Sequence, residues 1–289
     1  MKKVLLWLLL CLLAAVICIP MYFLIDGSLM GNQEVAGYLA PVMQNKSGFA
    51  SFGLLPMYPT LRSYVELLLD SPEFFVMFWN SVKLTVFILA GQLAAGVPAA
   101  WGFARLRIPG KRILFQLYVI LMLMPFQVTM LSNYLTLDRL HLLDTHAAII
   151  LPAVFSTFPV FLMYRFFENI PEAILESARV DGAGQWVIFR KIGVPLGSSG
   201  IVSAMVLGFL EYWNLIEQPL VFLKDKSQWP LSLYLPNIGL EEAGMAFAAS
   251  VITLIPSLLV FFAGGEYLEQ GIAASAVKDC KVESRNPLQ

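Results

Sequence analysis

The chain has 289 residues, of which 58% are hydrophobic and only 13% charged, and its formal net charge is −1. So few polar groups cannot clothe a soluble globule of this length, which excludes an ordinary water-soluble domain and puts the chain in a bilayer. The near balance of charge offers no basic surface for nucleic acid and no charged tail for a charged partner.

A hydrocarbon layer of about 30 Å needs about 20 apolar residues in a helix. Such runs are predicted over Val4–Ile25, Leu84–Ala104, Ile113–Met130, Ala147–Tyr164, Ser199–Ile216 and Ala246–Phe262. The expected fold is all-α, a polytopic membrane protein with six transmembrane helices. The first run follows Lys2 and Lys3 and is too long for the core of a signal peptide, so residues 1–25 are expected to be an uncleaved anchor. Leu10 and Ile17 precede Cys11 and Cys18, where a lipoprotein signal would have a small residue, and the cysteines read as packing residues.

Residues 26–75 follow, rich in Gly, Pro, Tyr and Ser, and are expected to be an extracytoplasmic segment. The remaining spans form a core over 76–266. Pro125, Pro152, Pro159 and Pro256 each remove a backbone donor inside a run, so each is either a hinge or a fixed kink needed for packing. Trp79, Trp101 and Trp229 fall near span ends and read as interfacial belt residues. His141 and His146 lack the spacing of a metal site.

Basic residues set the orientation. Lys2, Lys3, Arg105, Arg107, Lys111, Arg112, Arg165, Arg179, Arg190, Lys191, Lys278, Lys281 and Arg285 fall on one side. Only Lys46, Arg62, Arg139, Lys224 and Lys226 fall on the other, with Lys83 at a span edge. Both termini are therefore expected in the cytoplasm, along with the loop 165–196 and the tail 267–289.

That inner loop is helical in character. Pro171 suits a first helical turn, Glu172 and Glu176 suit the positive end of the helix dipole, and Gly182, Ala183 and Gly184 permit a sharp turn. A second helical piece over Gln185–Ile192 leads to Pro195. With Ala173, Ser177 and Ala178 small, the segment reads either as a knob for a groove on a partner or as an amphipathic helix resting on lipid.

Polar groups inside spans are functional candidates because burying them is costly. Glu211 and Asn214 lie three apart on one helical face, and Gln127 in the third span is the other candidate for a transport path. For Glu211 the alternative is a hydrogen bond to a neighbouring helix. Glu217 is placed at the outer interface or beside them, and Tyr212, Trp213 and the phenylalanines are compatible with sugar rings.

Glu176-Ser177-Ala178, three residues, Gly182, nine residues and Ile192-Gly193-Val194-Pro195 resemble the signature cytoplasmic loop of ABC importer permeases, with Ser177 and Val194 as conservative departures. The stretch Ala178-Arg179-Val180-Asp181-Gly182-Ala183 is most similar to the carbohydrate-importing branch. Asn80-Ser81, Ala104-Arg105-Leu106-Arg107, Pro125, Gln127, Trp213-Asn214 and Ala274-Ser275-Ala276-Val277-Lys278 extend the resemblance over most of the chain, while Leu215 and Ile216 depart from it.

The resemblance implies a type I importer permease in the bacterial plasma (inner) membrane, working with a second permease subunit, a cytoplasmic ATPase dimer and an extracytoplasmic solute-binding protein. Glu176, Ser177, Ala178, Arg179, Asp181, Gly182, Ala183 and Gly184 would dock on the ATPase. ATP and Mg would bind there and no cofactor on this chain, in keeping with a sequence that has no Gly-x-x-x-x-Gly-Lys-Ser/Thr loop. The outer segment Glu217–Met245, including Gly239-Leu240-Glu241-Glu242, would meet the binding protein. The expected cargo is a sugar; the alternatives are glycerol phosphate or another polyol, or an ion-driven secondary transporter.

Overall fold

The computed structural model describes residues 2–43, 53, 55–234 and 242–283. In chain order the helices are α1 (Lys2–Ser28), α2 (Asn32–Met43), α3 (Arg62–Val65), α4 (Pro72–Arg105), α5 (Lys111–Met122), α6 (Phe126–Arg139) and α7 (Ala147–Val154). Then come α8 (Thr157–Glu168), α9 (Glu172–Val180), α10 (Gln185–Ile188), α11 (Val194–Leu196), α12 (Ser198–Trp213), α13 (Glu217–Phe222) and α14 (Ala243–Glu283). The described residues contain no strand.

Lys3–Ser28, Pro72–Arg105, Ala147–Glu168 and Ala243–Leu268 are each long and apolar enough to cross a bilayer. Two further spans are broken pairs, α5 with α6 at 102° and Gln185–Leu196 with α12 at 66°. Six spans are thus present if each pair counts as one, but the third is not the straight run expected over Ile113–Met130. Pro125 is the physical reason: it is extended (φ −68°, ψ 150°) as the cap of α6, it cannot donate a hydrogen bond, and it biases Met124 away from helix. Pro159, expected as a kink, lies in the first turn of α8, where a missing donor costs nothing.

The second span also starts earlier than Leu84. Ser71-Pro72-Glu73 places proline at the first helical position and a carboxylate in the first turn, so α4 runs for 34 residues. Part of the 26–75 segment is accordingly helical, in α2, in α3 with the wide turn Glu66–Asp70 that follows it, and in the opening of α4, rather than a loop throughout.

The chain divides into two compact units, residues 1–79 with 230–256, and residues 80–229 with 257–289. In the first unit Met30, Val35 and Ala243 form a buried cluster with Tyr38, Leu39 and Phe247 packed on it. The Tyr64 hydroxyl donates to Ser28 Oγ at 2.7 Å, and the Phe74 ring meets Tyr234 edge-on. The side chains of Val4 to Leu10 on α1 are bare of protein, an arrangement that water would penalise and lipid would not.

The second unit holds the larger core: Val97, Ala100, Trp101, Val160, Met163, Phe167, Ile170, Leu175, Ile188, Phe189 and Ala204. Trp101, expected in an interfacial belt, is 4% exposed and stands edge-on to Phe167. Gly193 makes this burial possible, since a Cβ there would lie 2.5 Å from the Trp101 ring. Gly200 likewise lets α12 close on α8, where a Cβ would come within 2.4 Å of Phe166.

Candidate functional site

Residues 172–184 lie within the second unit. The short helix α9 starts after Pro171, whose extended backbone (φ −60°, ψ 131°) suits a helix boundary. It stops in the way the glycine signal predicts: Gly182 adopts φ +80°, its amide donates to Arg179 O at 3.0 Å, and the Ala183 amide donates to Ala178 O at 3.0 Å. Gln185–Ile188 then resumes the helix, and a wide turn at Phe189–Gly193 absorbs the approach of Pro195.

One face of this segment is glued down and the other is bare. Leu175 is fully buried among Ile170, Ile188 and Phe167, and Ala178 and Ala183 are half-buried against the same cluster. Glu176, Ser177, Arg179, Asp181, Gly182 and Gly184 are exposed, as are the apolar Ile174, Val180, Trp186 and Val187. Ser177 Oγ donates back to Ala173 O at 2.9 Å and Arg179 donates to Glu172 at 2.8 Å. Of the small residues expected to meet a partner, Ala178 therefore turns inward and Ala173 and Ser177 outward.

Arg105, at the end of α4, ties this segment to the spans. Its Nε donates to Phe167 O at 2.9 Å, its Nη2 donates to Glu168 O at 3.2 Å and to Ile170 O, and its Nη1 meets Glu172 Oε2 at 3.0 Å. The final carbonyls of α8 have no intrahelical partner, so a guanidinium with a rigid fork of donors satisfies them and fixes the corner into α9. Its side chain is only 12% exposed. Glu172 accepts from two arginines; the Arg179 hydrogen bond foremost, with Arg105 adding to it, holds its carboxyl below the ordinary 4.5. Sequence reasoning used Arg105 for orientation and for the family resemblance but not as the tie of this corner, because its main-chain acceptors lie more than sixty positions away.

A cavity of about 550 Å³ opens in the same unit where two helices break, at Leu123–Pro125 and at Phe155-Ser156. Its polar lining includes Thr129, Asn133, Ser156, Glu211, Tyr212 and Gln218. Its apolar lining includes Phe126, Phe158, Leu215 and Phe222. Such a size and mixture suit a small polar ligand with apolar faces.

Of the candidate path residues, Glu211 lines the cavity. Asn214 is exposed and donates to Leu210 O at 2.9 Å, which satisfies it on its own helix, and Gln127 donates to Glu217 Oε1 at 2.7 Å. Neither is among the lining residues. Gln92, which sequence reasoning passed over, stands behind the wall at 1% exposure: its Nε2 donates to Ala153 O at 2.8 Å and to the Tyr212 hydroxyl at 3.0 Å. A glutamine in the middle of an apolar run was the available signal.

At the other end of the unit, Asn80 donates to Ser227 O and Trp229 O, and His146 contacts Gln228 O at 3.0 Å. Asp144, left-handed at φ +59°, accepts from the Lys224 and Asp225 amides at 2.8 and 2.9 Å. Residues 223–229 are thereby a fixed surface; residues 239–241 lie outside the described ones.

The sequence pattern described as the inner membrane component of binding-protein-dependent transport systems matches residues 92–274. The arabinooligosaccharides transport system permease protein AraQ of Halalkalibacterium halodurans is 26% identical over 77% of this chain and 81% of its own. The lactose transport system permease protein LacG of Rhizobium radiobacter is 29% identical over 69% of this chain and 74% of its own. Among solved structures, a bacterial ABC transporter involved in import of the acidic polysaccharide alginate superposes with a TM-score of 0.78 at 24% identity, covering 92% of this chain and 95% of that one. At that identity the likeness speaks for the fold.

Proposed function

The chain belongs to the family of inner membrane components of binding-protein-dependent transport systems, and from that premise we propose that it forms part of the translocation path of a sugar importer driven by a separate ATPase. It is a multi-pass protein of the bacterial inner membrane, and a family of this description works with a solute-binding protein. The observation that carries the reading is the segment 172–184, seated on the spans through Leu175 and Arg105 and bare on its outer face. A lever must be rigid toward what it moves and free toward what moves it.

Glu176, Ser177, Arg179, Asp181, Gly182 and Gly184 form the exposed docking surface for the ATPase, with Ala178 and Ala183 supporting it from beneath. ATP with Mg binds on that partner. A second permease subunit completes the path, and the fixed loop 223–229 with its neighbours faces the binding protein. Sugar as the cargo is supported by the names of AraQ and LacG and by a cavity that combines hydroxyl and amide groups with aromatic faces.

The test is assembly with the cognate ATPase followed by ATP-dependent uptake in proteoliposomes, comparing wild type with Gly182→Pro and Glu176→Lys. Gly182→Pro forbids the positive φ on which the turn depends, and Glu176→Lys inverts an exposed charge. Loss of assembly, uptake or both is expected. Unchanged assembly and uptake in both variants would refute the docking assignment.

A further inference from the structure

We propose that Glu211 makes the cavity a site for uncharged, hydroxyl-rich sugars and a barrier to sugars bearing carboxylates or phosphates. This rests on the reading above and narrows it.

Among the described residues the cavity lining contains no lysine, arginine or histidine, and Glu211 is its sole carboxylate. No salt bridge neutralises Glu211 among the described residues. The arginines of this unit that enter salt bridges, Arg105, Arg165 and Arg179, are engaged with Glu168 or Glu172 at the far ends of their helices. Binding of an anion would therefore bring it out of water beside a like charge with no counter-ion from this chain, and repulsion at a few ångströms is strong in a partly dry cavity.

The rest of the lining is neutral but not inert. Thr129, Asn133, Ser156 and Gln218 offer donors and acceptors that match hydroxyl groups. The Tyr212 hydroxyl accepts a hydrogen bond from Gln92, which fixes the ring at the wall. Glu211 accepts hydrogen bonds only, as sugar hydroxyls donate them, and a charged acceptor strengthens each bond. One side chain thus attracts polyhydroxylated neutral cargo and repels anionic cargo. Specificity by an unfavourable contact needs no extra affinity for the correct ligand.

The measurement is equilibrium binding of radiolabelled lactose and of a digalacturonate of equal ring number to the permease–ATPase complex, without the binding protein, so that delivery does not decide the result. Wild type should bind lactose at least about tenfold more tightly, a factor worth 1.36 kcal/mol. Glu211→Gln, which keeps the shape and one acceptor oxygen but removes the charge, should remove most of that difference. Glu211→Arg should reverse it.

Equal or tighter binding of digalacturonate by wild type, or a ratio unmoved by Glu211→Gln, overturns the inference. Failure of both sugars to bind overturns the cavity as a sugar site, while assembly with the ATPase and its sensitivity to Gly182→Pro report separately on the docking segment.

Discussion

Replacing Arg105 by alanine removes one charged fork from a nearly buried corner. The carbonyls of Phe167, Glu168 and Ile170 lose their charged donor together, Phe167 O keeping the Ile170 amide at 3.3 Å, and Glu172 loses one of its two arginines. The Glu172 pair contributes little, because that carboxylate is half exposed and water screens it. The carbonyl bonds matter more: hydrogen bonds to a charged donor are worth about 1.5–3 kcal/mol each, and bonds sharing one side chain do not add fully, so about 3 kcal/mol is expected in all. At 1.36 kcal/mol per tenfold change, the corner should open about 100-fold more often. Hydrogen exchange of the complex in nanodiscs reads this directly: amides of α9 should exchange faster by that factor, while those in the middle of α12 stay protected. Arg105→Lys should recover only part of the protection, since an ammonium cannot present the same planar fork. A variant that exchanged like wild type at 172–180 would show that Arg105 does not hold the corner.

The acid response of that corner has a definite sign. Glu172 has a depressed carboxyl, so its ion pairs are fully present above its ordinary value of 4.5 and are lost as pH falls through the lower folded value; exchange of α9, corrected for intrinsic rate, should stay flat from neutral pH to 5 and rise only in stronger acid, and Glu172→Gln should abolish the rise. Gly193→Ala puts a methyl 2.5 Å from the Trp101 ring and should cost about 1–3 kcal/mol in thermal unfolding of the purified protein, an effect that Trp101→Leu should relieve. Asp144→Ala strips the acceptor from the Lys224 and Asp225 amides and should loosen 223–229 by about 1–2 kcal/mol, seen as faster exchange there with α9 unchanged.

Much of the architecture was legible because lipid demands long apolar helices and leaves few alternatives. Four of the six runs are found as helices that can cross a bilayer and the other two as bent pairs, and the glycine stop at Gly182 was readable from type and place. The start of α4 was missed although Ser71-Pro72-Glu73 announces it, because attention to hydropathy alone passes over a helix that begins with polar residues. The candidate path residues show a deeper limit. Gln127, Glu211 and Asn214 look alike as polar residues within spans, yet two of them meet a partner within reach, Glu217 or the Leu210 carbonyl, and Glu211 has no salt-bridge partner among the described residues. Sequence shows that a polar group is costly, not whether a neighbour has already met the cost. The burial of Trp101 depends in the same way on Gly193, some ninety positions later, a pairing that no local pattern contains.

The three features that matter most for transport hang on one helix. Within the second unit α4 carries Asn80, which holds the 227–229 turn; Gln92, which holds Tyr212 at the cavity wall; and Arg105, which holds the corner before α9. At 1.5 Å per residue, Asn80 and Arg105 stand about 37 Å apart along the axis, enough to span the bilayer. Each anchor is a side chain reaching a main-chain carbonyl or a buried hydroxyl, and each is itself at most half exposed. Such bonds fix position better than surface ion pairs, because burial of the donor side chains limits competition from water. If a partner docks on α9 as proposed, a push there would reach the cavity wall through a hydrogen-bonded helix, with no loop in between. The helix breaks next to Pro125 and at Phe155-Ser156 border the same cavity. Under the docking proposed for 172–184, rigid transmission on one element and broken helices beside the cavity would divide the labour of alternating access.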